Sequence, residues 1–524
     1  MTDSTTSGLR HIAGPIYEWS SPRDHTDGSL SRSRAVHALG PDGRTVEAWA
    51  FTDGDAWRSR LALSLPGVWR WYSDSGSSGA LAAPSPGPSD RWPKGALRVS
   101  EDRRTLTEAD GTPFLYLGDT DWSVVWKGRP GEWATFLDRR AAQGFNVLQV
   151  SLIPWRWDYT DVEGNRPFDD MDPTRPNAPY FRRYDQFLTM AAERGLYVCL
   201  MLIWGGPREL LPASHFSREQ AVAFTRYAVA RFSSFPMIWS LSGDAEYDHE
   251  LPKWDAVGAA VEETDPYDHP TTNHLPPTLN WHALHHTAPW HDFHMLQTGH
   301  TRAARGDMAD LPAFYYRRQP VKPIINGEPW YEAHPAMDIR GEYGPVCQPE
   351  DVRYAFWVSV LSGATMGHTY GSQGIWNWKR PGDSEEPVAG PQIGPTWDLA
   401  LDHPGADQCG IGAAFLRGIQ WWDLEPSPEC AQLDPAPGEL WQRPACARVR
   451  SSVWIVYLPR ATGQVIVKGI EPLVWRARWL DPRGGGTHDI GVIDVPASRK
   501  WRAPRAPSED DWVLVLTRDG SIAT

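Results

Sequence analysis

MIWSLSGD, at residues 237–244, is an apolar run that ends on a carboxylate, and PIINGEPW, at residues 323–330, repeats that plan further along the chain. Both read as buried parallel strands, and the strand in each stretch ends with an acid, Asp244 in the first and Glu328 in the second. In a (β/α)8 barrel the catalytic groups lie at the carboxyl ends of the strands. The two stretches therefore predict a barrel whose rim carries a pair of carboxylates.

Short apolar strands alternate with amphipathic helices from Phe114 onward, over about 300 residues. Ser217 is the predicted N-cap of one helix, and Gln220 stands at its capping-box position. The alternation of strands and helices predicts an α/β fold. The predicted fold is a (β/α)8 TIM barrel with Asp244 on strand four and Glu328 on strand seven. The strands are predicted at residues 114–119, 146–152, 196–202 and 237–244, and the helices at residues 133–143, 184–194 and 217–232.

The regions on either side of this pattern have the texture of β-sandwiches. Residues 12–100 and the chain beyond residue 425 contain short strands separated by turn residues such as those of PDG at residues 41–43. Several short strands at this spacing are typical of sandwich domains. We therefore expect an N-terminal β-sandwich at residues 1–100, a catalytic barrel at 101–425 and a C-terminal β-sandwich at 426–524.

Composition excludes several classes of partner. The net charge of −14 argues against nucleic acid and anionic membranes, because both require a basic face. The polar N-terminus has no apolar signal region, and no run reaches the roughly 18 to 20 apolar residues of a membrane span. A cytoplasmic protein is expected. The five cysteines match no zinc motif, and the sequence leaves open whether Cys430 and Cys446 pair.

A pair of carboxylates in a tryptophan-rich cleft suggests cleavage of a glycosidic bond. One carboxyl must hold a proton at neutral pH, while its partner stays ionised as nucleophile or base. Asp244 and Glu328 are the candidates, and Glu246 is an alternative to Asp244 as the acid. Many of the 29 tryptophans belong to the core, but some can stack on sugars. The candidate sugar contacts near strand ends are Asp119, Trp122, Trp155, Trp157, His274 and His300.

A histidine-rich stretch raises the question of a metal. Its histidines fit no tight ligand motif and no HExxH helix, so we interpret them as loop residues and expect no metal and no cofactor. Neither a GxSxG elbow nor a P-loop is present, which removes support for a serine hydrolase or a nucleotide hydrolase. The stretch contains His282, His285, His286, His291 and His294.

Six motifs in a fixed order resemble a known family. Together they look like the DUF4038 glycoside hydrolases, which include the apiosidases of glycoside hydrolase family 140. The resemblance extends from about residue 100 to residue 420. The N-terminal region before it is similar to DUF5060 sandwiches, and the C-terminal region after it is similar to a collagen-binding-like sandwich. The motifs are LGDTDW at 117–122, SGD at 242–244, QTGH at 297–300, NGEPWYE at 326–332, GATMGHTYG at 363–371 and the segment 372–378.

The resemblance implies a (β/α)8 barrel and a retaining mechanism. Asp244 matches the family's acid/base position, where this chain has Ser242 before Gly243, and Glu328 matches the nucleophile. Related barrel clans usually carry Asn-Glu at the acid/base position, and an Asp is one methylene shorter, so the leaving group must sit closer. The same motifs add Gln297, Tyr370 and Trp376 to the candidate sugar contacts.

Together these features predict a retaining, exo-acting glycoside hydrolase. Its substrate is expected to be a small carbohydrate with a terminal furanosyl sugar, such as apiose, arabinofuranose or fructofuranose, and a homo-oligomer is possible. Two alternatives remain open from the sequence. One is a transglycosidase or cyclising enzyme on the same scaffold, and the other is a non-catalytic carbohydrate-binding protein.

Overall fold

The fold is taken from a computed structural model. Eight parallel strands form its central sheet, and the bridge between His274 and Met295 joins the two ends of that sheet. The structure describes residues 8–23, 28–85, 91–205, 211–245, 247–338, 342–383 and 394–518. The barrel strands are β11 (Tyr116–Thr120), β12 (Val147–Ser151), β13 (Tyr197–Trp204), β14 (Met237–Gly243), β15 (Thr271–Thr272), β16 (His294–Gln297), β17 (Ile324–Glu328) and β20 (Gly367–Tyr370).

Helices surround the barrel, and the predicted TIM barrel is confirmed. The Ser217 side chain accepts a hydrogen bond from the amide of Gln220, and the Gln220 side-chain oxygen accepts one from the amide of Ser217, as the capping-box pattern predicts. The helices are α1 (Val124–Lys127), α2 (Pro130–Ala142), α3 (Ala178–Ala192), α4 (Arg218–Phe232), α5 (Leu251–Thr264), α6 (Asp307–Tyr316), α7 (Pro349–Leu361), α8 (Trp397–Ala400) and α9 (Pro404–Arg417).

An antiparallel sheet precedes the barrel and fits the expected N-terminal sandwich. Its order is β1-β2-β5-β4-β3-β6-β7, and a small sheet β10-β9-β8 follows it. In β6 alternate residues are buried, which is the pattern of a strand with one face on a core. The strands are β1 (Arg10–Ala13), β2 (Ile16–Pro22), β3 (Leu30–Leu39), β4 (Thr45–Asp53), β5 (Ala56–Ala62), β6 (Gly67–Ser73), β7 (Ser78–Ala83), β8 (Arg98–Val99), β9 (Leu106–Thr107) and β10 (Pro113–Phe114).

Two more antiparallel sheets follow the barrel and fit the expected C-terminal sandwich. One has the order β21-β23-β24-β29-β26-β27 and the other β22-β25-β28, while β18 (Pro335–Met337) and β19 (Tyr343–Val346) form a hairpin after β17. The remaining strands are β21 (Leu424–Pro426), β22 (Ala431–Asp434), β23 (Ala445–Val449), β24 (Val453–Leu458), β25 (Gln464–Lys468), β26 (Val474–Leu480), β27 (Thr487–Asp494), β28 (Lys500–Arg502) and β29 (Trp512–Thr517).

The barrel core is formed by strands that are buried along their whole length. Every residue of β13, β14 and β17 is buried, which is why these segments read as continuous apolar runs instead of alternating ones. Parallel pairing then places their carboxyl ends at one rim. None of the described helices combines the length and the apolar character that a membrane span requires.

Candidate active site

Asp244 and Glu328 meet at the carboxyl-end rim of the barrel. Asp244 follows directly after β14, the fourth strand, and Glu328 is the last residue of β17, the seventh. A carboxylate oxygen of each lies within 4.8 Å of the other. The Asp244 side chain is 38% exposed, while the Glu328 side chain is only 7% exposed. One acid is therefore open to solvent and the other is enclosed.

His274 lies between the two acids. Its Nε2 is 2.9 Å from Oε2 of Glu328, its Nδ1 is 3.4 Å from Oδ1 of Asp244, and its side chain is fully buried. Burial disfavours the charged imidazolium, but the two neighbouring carboxylates outweigh it and raise the pKa of His274 to about 10. His274 is therefore a cation at neutral pH, in contact with both carboxylates.

A second histidine, His300, holds the other oxygen of Glu328. Its Nε2 forms a hydrogen bond of 3.1 Å with Oε1 of Glu328. Burial alone would raise the pKa of Glu328, but the contacts with His274 and His300 lower it well below its usual range. Thr298 also donates its amide to the carbonyl of Glu328 at 3.0 Å, which fixes the loop that carries His300. Glu328 is thus ionised and held at both carboxylate oxygens.

The chain turns sharply at Asp244. Its φ of 51° lies in the left-handed region, which Asp tolerates better than most residues. A side chain on the preceding Gly243 would come within 2.4 Å of the Trp204 ring. Glycine at 243 therefore allows Trp204 to lie directly beside the strand end that carries the acid.

An aromatic wall adjoins the acids. We define it as Trp122, Trp155, Trp204 and Trp376. Successive ring centroids lie 5.1 Å apart for Trp122 and Trp204, 6.3 Å for Trp204 and Trp155, and 5.6 Å for Trp155 and Trp376. The Trp122 ring meets the His274 ring edge-on at 5.5 Å. Such a wall next to two carboxylates can stack the apolar face of a sugar.

Three residues of the site were not predicted. Trp204 is the last residue of β13, so the strand-end argument applied to Asp244 would also have found it. Tyr331 packs on His300 at 4.3 Å, and His334 packs on the same ring at 4.5 Å. Both follow Glu328 by a few residues, but nothing in their spacing shows that the chain folds back onto His300.

Comparison with known proteins shows the family to which the chain belongs. The family model named "Apiosidase-like, catalytic domain" matches residues 100–423, more than half of the chain. The chain belongs to the apiosidase-like family. It is therefore a glycoside hydrolase, an enzyme class that acts on carbohydrates. Residues 439–517 match a model named for a proposed collagen-binding domain of a collagenase, and no curated protein gives a significant match.

Solved structures share the fold. A protein titled "Glycoside hydrolase" superposes with a TM-score of 0.71 at 24% identity, covering 81% of this chain and 97% of the other. A family 5 glycoside hydrolase from Bacteroides vulgatus gives a TM-score of 0.70 at 24% identity, covering 81% and 93%. A proposed glycoside hydrolase from the same organism gives 0.69 at 16% identity and covers 96% and 98%. At these identities the likeness concerns the fold.

Two of the predicted sugar contacts lie in a buried polar cluster. Asp119 is fully buried and forms an ion pair with Arg140 of α2. Tyr370 is 1% exposed and donates its hydroxyl to Oε2 of Glu332 at 2.7 Å. The guanidinium of Arg140 lies 5.5 Å from the Tyr370 ring. These contacts hold β11, β20 and α2 together, and the role of Asp119 and Tyr370 as sugar contacts stays a prediction.

Two further predicted sugar contacts, Trp157 and Gln297, lie outside the aromatic wall. Trp157 stacks on His215 at 4.7 Å and packs against Phe168, so it belongs to a neighbouring cluster. Gln297 pairs in register with Glu328 at the rim, and its side-chain oxygen is buried without a hydrogen-bond partner. The prediction for Gln297 therefore stays open to test. Glu246, the alternative acid, lies outside the described residues.

Three histidines of the histidine-rich stretch pack together at the start of β16. His286 Nδ1 lies 2.8 Å from His294 Nε2, and His291 meets the His294 ring edge-on at 4.8 Å. Burial lowers the pKa of His291 and His294 well below the usual value, and nearby cationic and imidazole groups add to the effect. His291 and His294 are therefore packed and neutral, unlike the scattered loop residues we expected, whereas His282 is exposed.

In the part of the chain that the structure describes, one group of His, Cys, Asp and Glu side chains is compact enough to surround a cation. It consists of Asp244, His274 and Glu328 themselves. An imidazolium has no lone pair to offer, so the charge state of His274 opposes such binding. The absence of a metal requirement stays a prediction. Cys430 and Cys446 are both free thiols.

Proposed function

We propose that this glycoside hydrolase is a retaining, exo-acting enzyme that removes a terminal furanosyl sugar. Glu328 is the nucleophile and Asp244 is the acid/base. The spacing of their carboxylates carries the proposal. Retaining enzymes hold the two groups about 5 to 5.5 Å apart, whereas inverting enzymes need about 6.5 to 9.5 Å to fit a water molecule. Oxygens within 4.8 Å of each other support the retaining arrangement.

The environments of the two acids support their separate roles. A nucleophile must be ionised and positioned, and Glu328 is held by His274 and His300 at its two oxygens. An acid/base must exchange its proton with the leaving group and then with water, and Asp244 is the more exposed of the pair.

The reaction then takes two steps. In the first, a carboxylate oxygen of Glu328 attacks the anomeric carbon, the glycosidic C–O bond breaks, and the Asp244 carboxyl gives its proton to the departing oxygen. In the second, the Asp244 carboxylate takes a proton from water, the water oxygen attacks the anomeric carbon, and the bond to Glu328 breaks. His274 contacts an anionic carboxylate throughout, since Asp244 becomes charged as Glu328 loses its charge.

The family supports a furanosyl sugar, because apiose is a furanose and the matching model is named for apiosidases. The site supports exo action. The Glu328 side chain is 7% exposed, His274 is fully buried, and the four tryptophans of the aromatic wall are each 8% exposed or less. A terminal sugar can enter such an enclosed position more readily than an internal unit of a chain.

The test is a panel of aryl furanosides and pyranosides assayed with the wild type, Glu328→Ala and Asp244→Ala. We expect Glu328→Ala to lose about 10³-fold or more in kcat while it stays folded. Azide should restore product formation in both variants, giving a glycosyl azide of inverted configuration with Glu328→Ala and of retained configuration with Asp244→Ala. Methanol as acceptor reports the configuration of the wild-type product by NMR.

Glu350→Ala, which removes an exposed carboxylate at the start of α7, is the matched control and should be as active as the wild type. Normal turnover by Glu328→Ala, or a wild-type methyl glycoside of inverted configuration, would refute the proposal. The wild-type assay is repeated after EDTA treatment, and full activity there is expected if no metal takes part.

A further inference from the structure

The C-terminal domain contacts the segment of the barrel between β16 and α6. Trp441 belongs to the segment matched by the second family model, yet its ring lies 4.1 Å from the guanidinium of Arg305, which stands on the barrel side. The same guanidinium lies 4.8 Å from the ring of Trp330 and 4.9 Å from that of Tyr354. One arginine is thus enclosed by three aromatic rings, one of which comes from the C-terminal domain.

These contacts lead to the active site in a few steps. Trp330 stands two residues after Glu328, and its indole N–H donates a hydrogen bond of 3.3 Å to the carbonyl of Thr301. Thr301 is the neighbour of His300, whose ring forms the 3.1 Å hydrogen bond with Glu328. Trp330 is 1% exposed, so it has little room to move independently of the rings around it.

Arg305 is itself fixed on the barrel. It forms an ion pair with Asp351, the N3 residue of α7, whose carboxylate also accepts the amide of Gln348 at the start of that helix. Helix α7 follows β17, so the helix and the nucleophile belong to one βα unit. A cation over the face of an aromatic ring is attracted by the ring's electrons, and the attraction strengthens where water is excluded.

We propose that Trp441 of the C-terminal domain is a positioning residue for catalysis, acting through Arg305 and Trp330 on the His300–Glu328 hydrogen bond. The C-terminal domain is then part of the catalytic unit. The inference rests on the proposed role of Glu328 as nucleophile.

The experiment compares full-length Trp441→Ala with Trp501→Ala on the best aryl glycoside of the panel. Trp501 lies in β28, is also half-buried in the C-terminal domain, and packs within that domain's own core. We expect Trp441→Ala to lower kcat by about 10-fold with little change in KM, because misplaced catalytic groups affect the transition state more than substrate binding. Trp501→Ala should keep the wild-type kcat at equal folded fraction, measured by circular dichroism.

Two further variants make the test specific. Trp441→Phe keeps a ring over Arg305 and should restore most of kcat. In an Arg305→Lys background, which keeps the charge but loses the planar stacking group, Trp441→Ala should have little additional effect, because both changes break the same series of contacts. Equal kcat in Trp441→Ala and Trp501→Ala, or fully additive effects of Trp441→Ala and Arg305→Lys, would overturn the inference.

This outcome is separable from that of the proposed function. An active Glu328→Ala removes the nucleophile assignment whatever Trp441 does. An inactive Glu328→Ala together with an unaffected Trp441→Ala removes only the role of the C-terminal domain.

Discussion

At the scale of single residues, His274 is the group whose surroundings the sequence reveals least. The sequence identifies it as a candidate sugar contact, since it follows a short apolar segment. In the fold it is fully buried and lies against the carboxylates of Asp244 and Glu328, the two proposed catalytic groups. A charged group in that place influences the ionisation of the two acids, and its role as a sugar contact stays a prediction.

His274→Gln tests this influence, because glutamine keeps a donor near Glu328 but carries no charge. The pKa of Glu328 is lowered by its two histidine contacts, so losing the imidazolium raises it. The acidic limb of the kcat/KM profile, which reports ionisation of the free nucleophile, should therefore move to higher pH, and kcat should fall. The measurement is a pH–rate profile of wild type and variant.

His282→Gln serves as the control, since His282 is an exposed histidine in the same segment as His274, between β15 and β16. Its profile should overlay that of the wild type. An unmoved acidic limb in His274→Gln would show that His274 does not set the ionisation of Glu328.

At the scale of elements, the ends of the barrel strands show what the sequence predicts well and what it does not. The strand predicted at residues 237–244 is observed at Met237–Gly243, and the strand predicted at 196–202 extends to Trp204. Apolar runs locate such strands well because both faces of a parallel sheet are buried. Runs of sequence do not reveal which terminal side chains face one another, since that depends on how the closed sheet brings distant rims together.

Gly243→Ala tests the contact between the end of β14 and Trp204 at the end of β13. The added carbon would meet the Trp204 ring, so the ring must move away from Asp244. We expect a lower kcat/KM, by about 10-fold, and a loss of about 1 to 3 kcal/mol in stability from overpacking. Steady-state kinetics and thermal unfolding measure the two effects.

The control is Gly131→Ala near the start of α2, where nothing lies within 4 Å of the added carbon. Alanine is the better helix former, so this variant should match or exceed the wild-type stability. If Gly243→Ala also keeps the wild-type stability and kcat/KM, neither stability nor catalysis requires the packing of Trp204 against the end of β14.

At the scale of the whole molecule, the barrel and the C-terminal domain share a core. Arg353 of α7 forms two hydrogen bonds, of 2.7 and 2.8 Å, with Asp511, and both side chains are buried. The hydroxyl of Tyr457 also donates to Asp511 at 3.2 Å, and its ring stacks on Trp357 of α7. The division of the chain at residues 100 and 425 stays a prediction.

Asp511→Ala should destabilise the protein by about 3 kcal/mol, because it leaves the buried Arg353 guanidinium without its carboxylate and with only Gln408 as a side-chain acceptor. The thermal unfolding midpoint should fall clearly. Asp489→Ala breaks a pair with Arg476 in which both side chains are more than half exposed, and it should cost less than about 1 kcal/mol. Equal midpoints for the two variants would contradict the role assigned to the buried pair.

The sequence by itself determined the barrel, the flanking β-regions and the two acids, because each depends on local signals: apolar periodicity, capping residues and a carboxylate at a strand end. It also placed those acids on strands four and seven. Only the tertiary structure decided what surrounds them. It placed His274 between the acids, removed Asp119 and Tyr370 into a buried polar cluster, and brought Trp204, Tyr331 and Trp441 into contact with the site or its supports. These are contacts between residues far apart in the chain, and barrel closure and domain packing fix them.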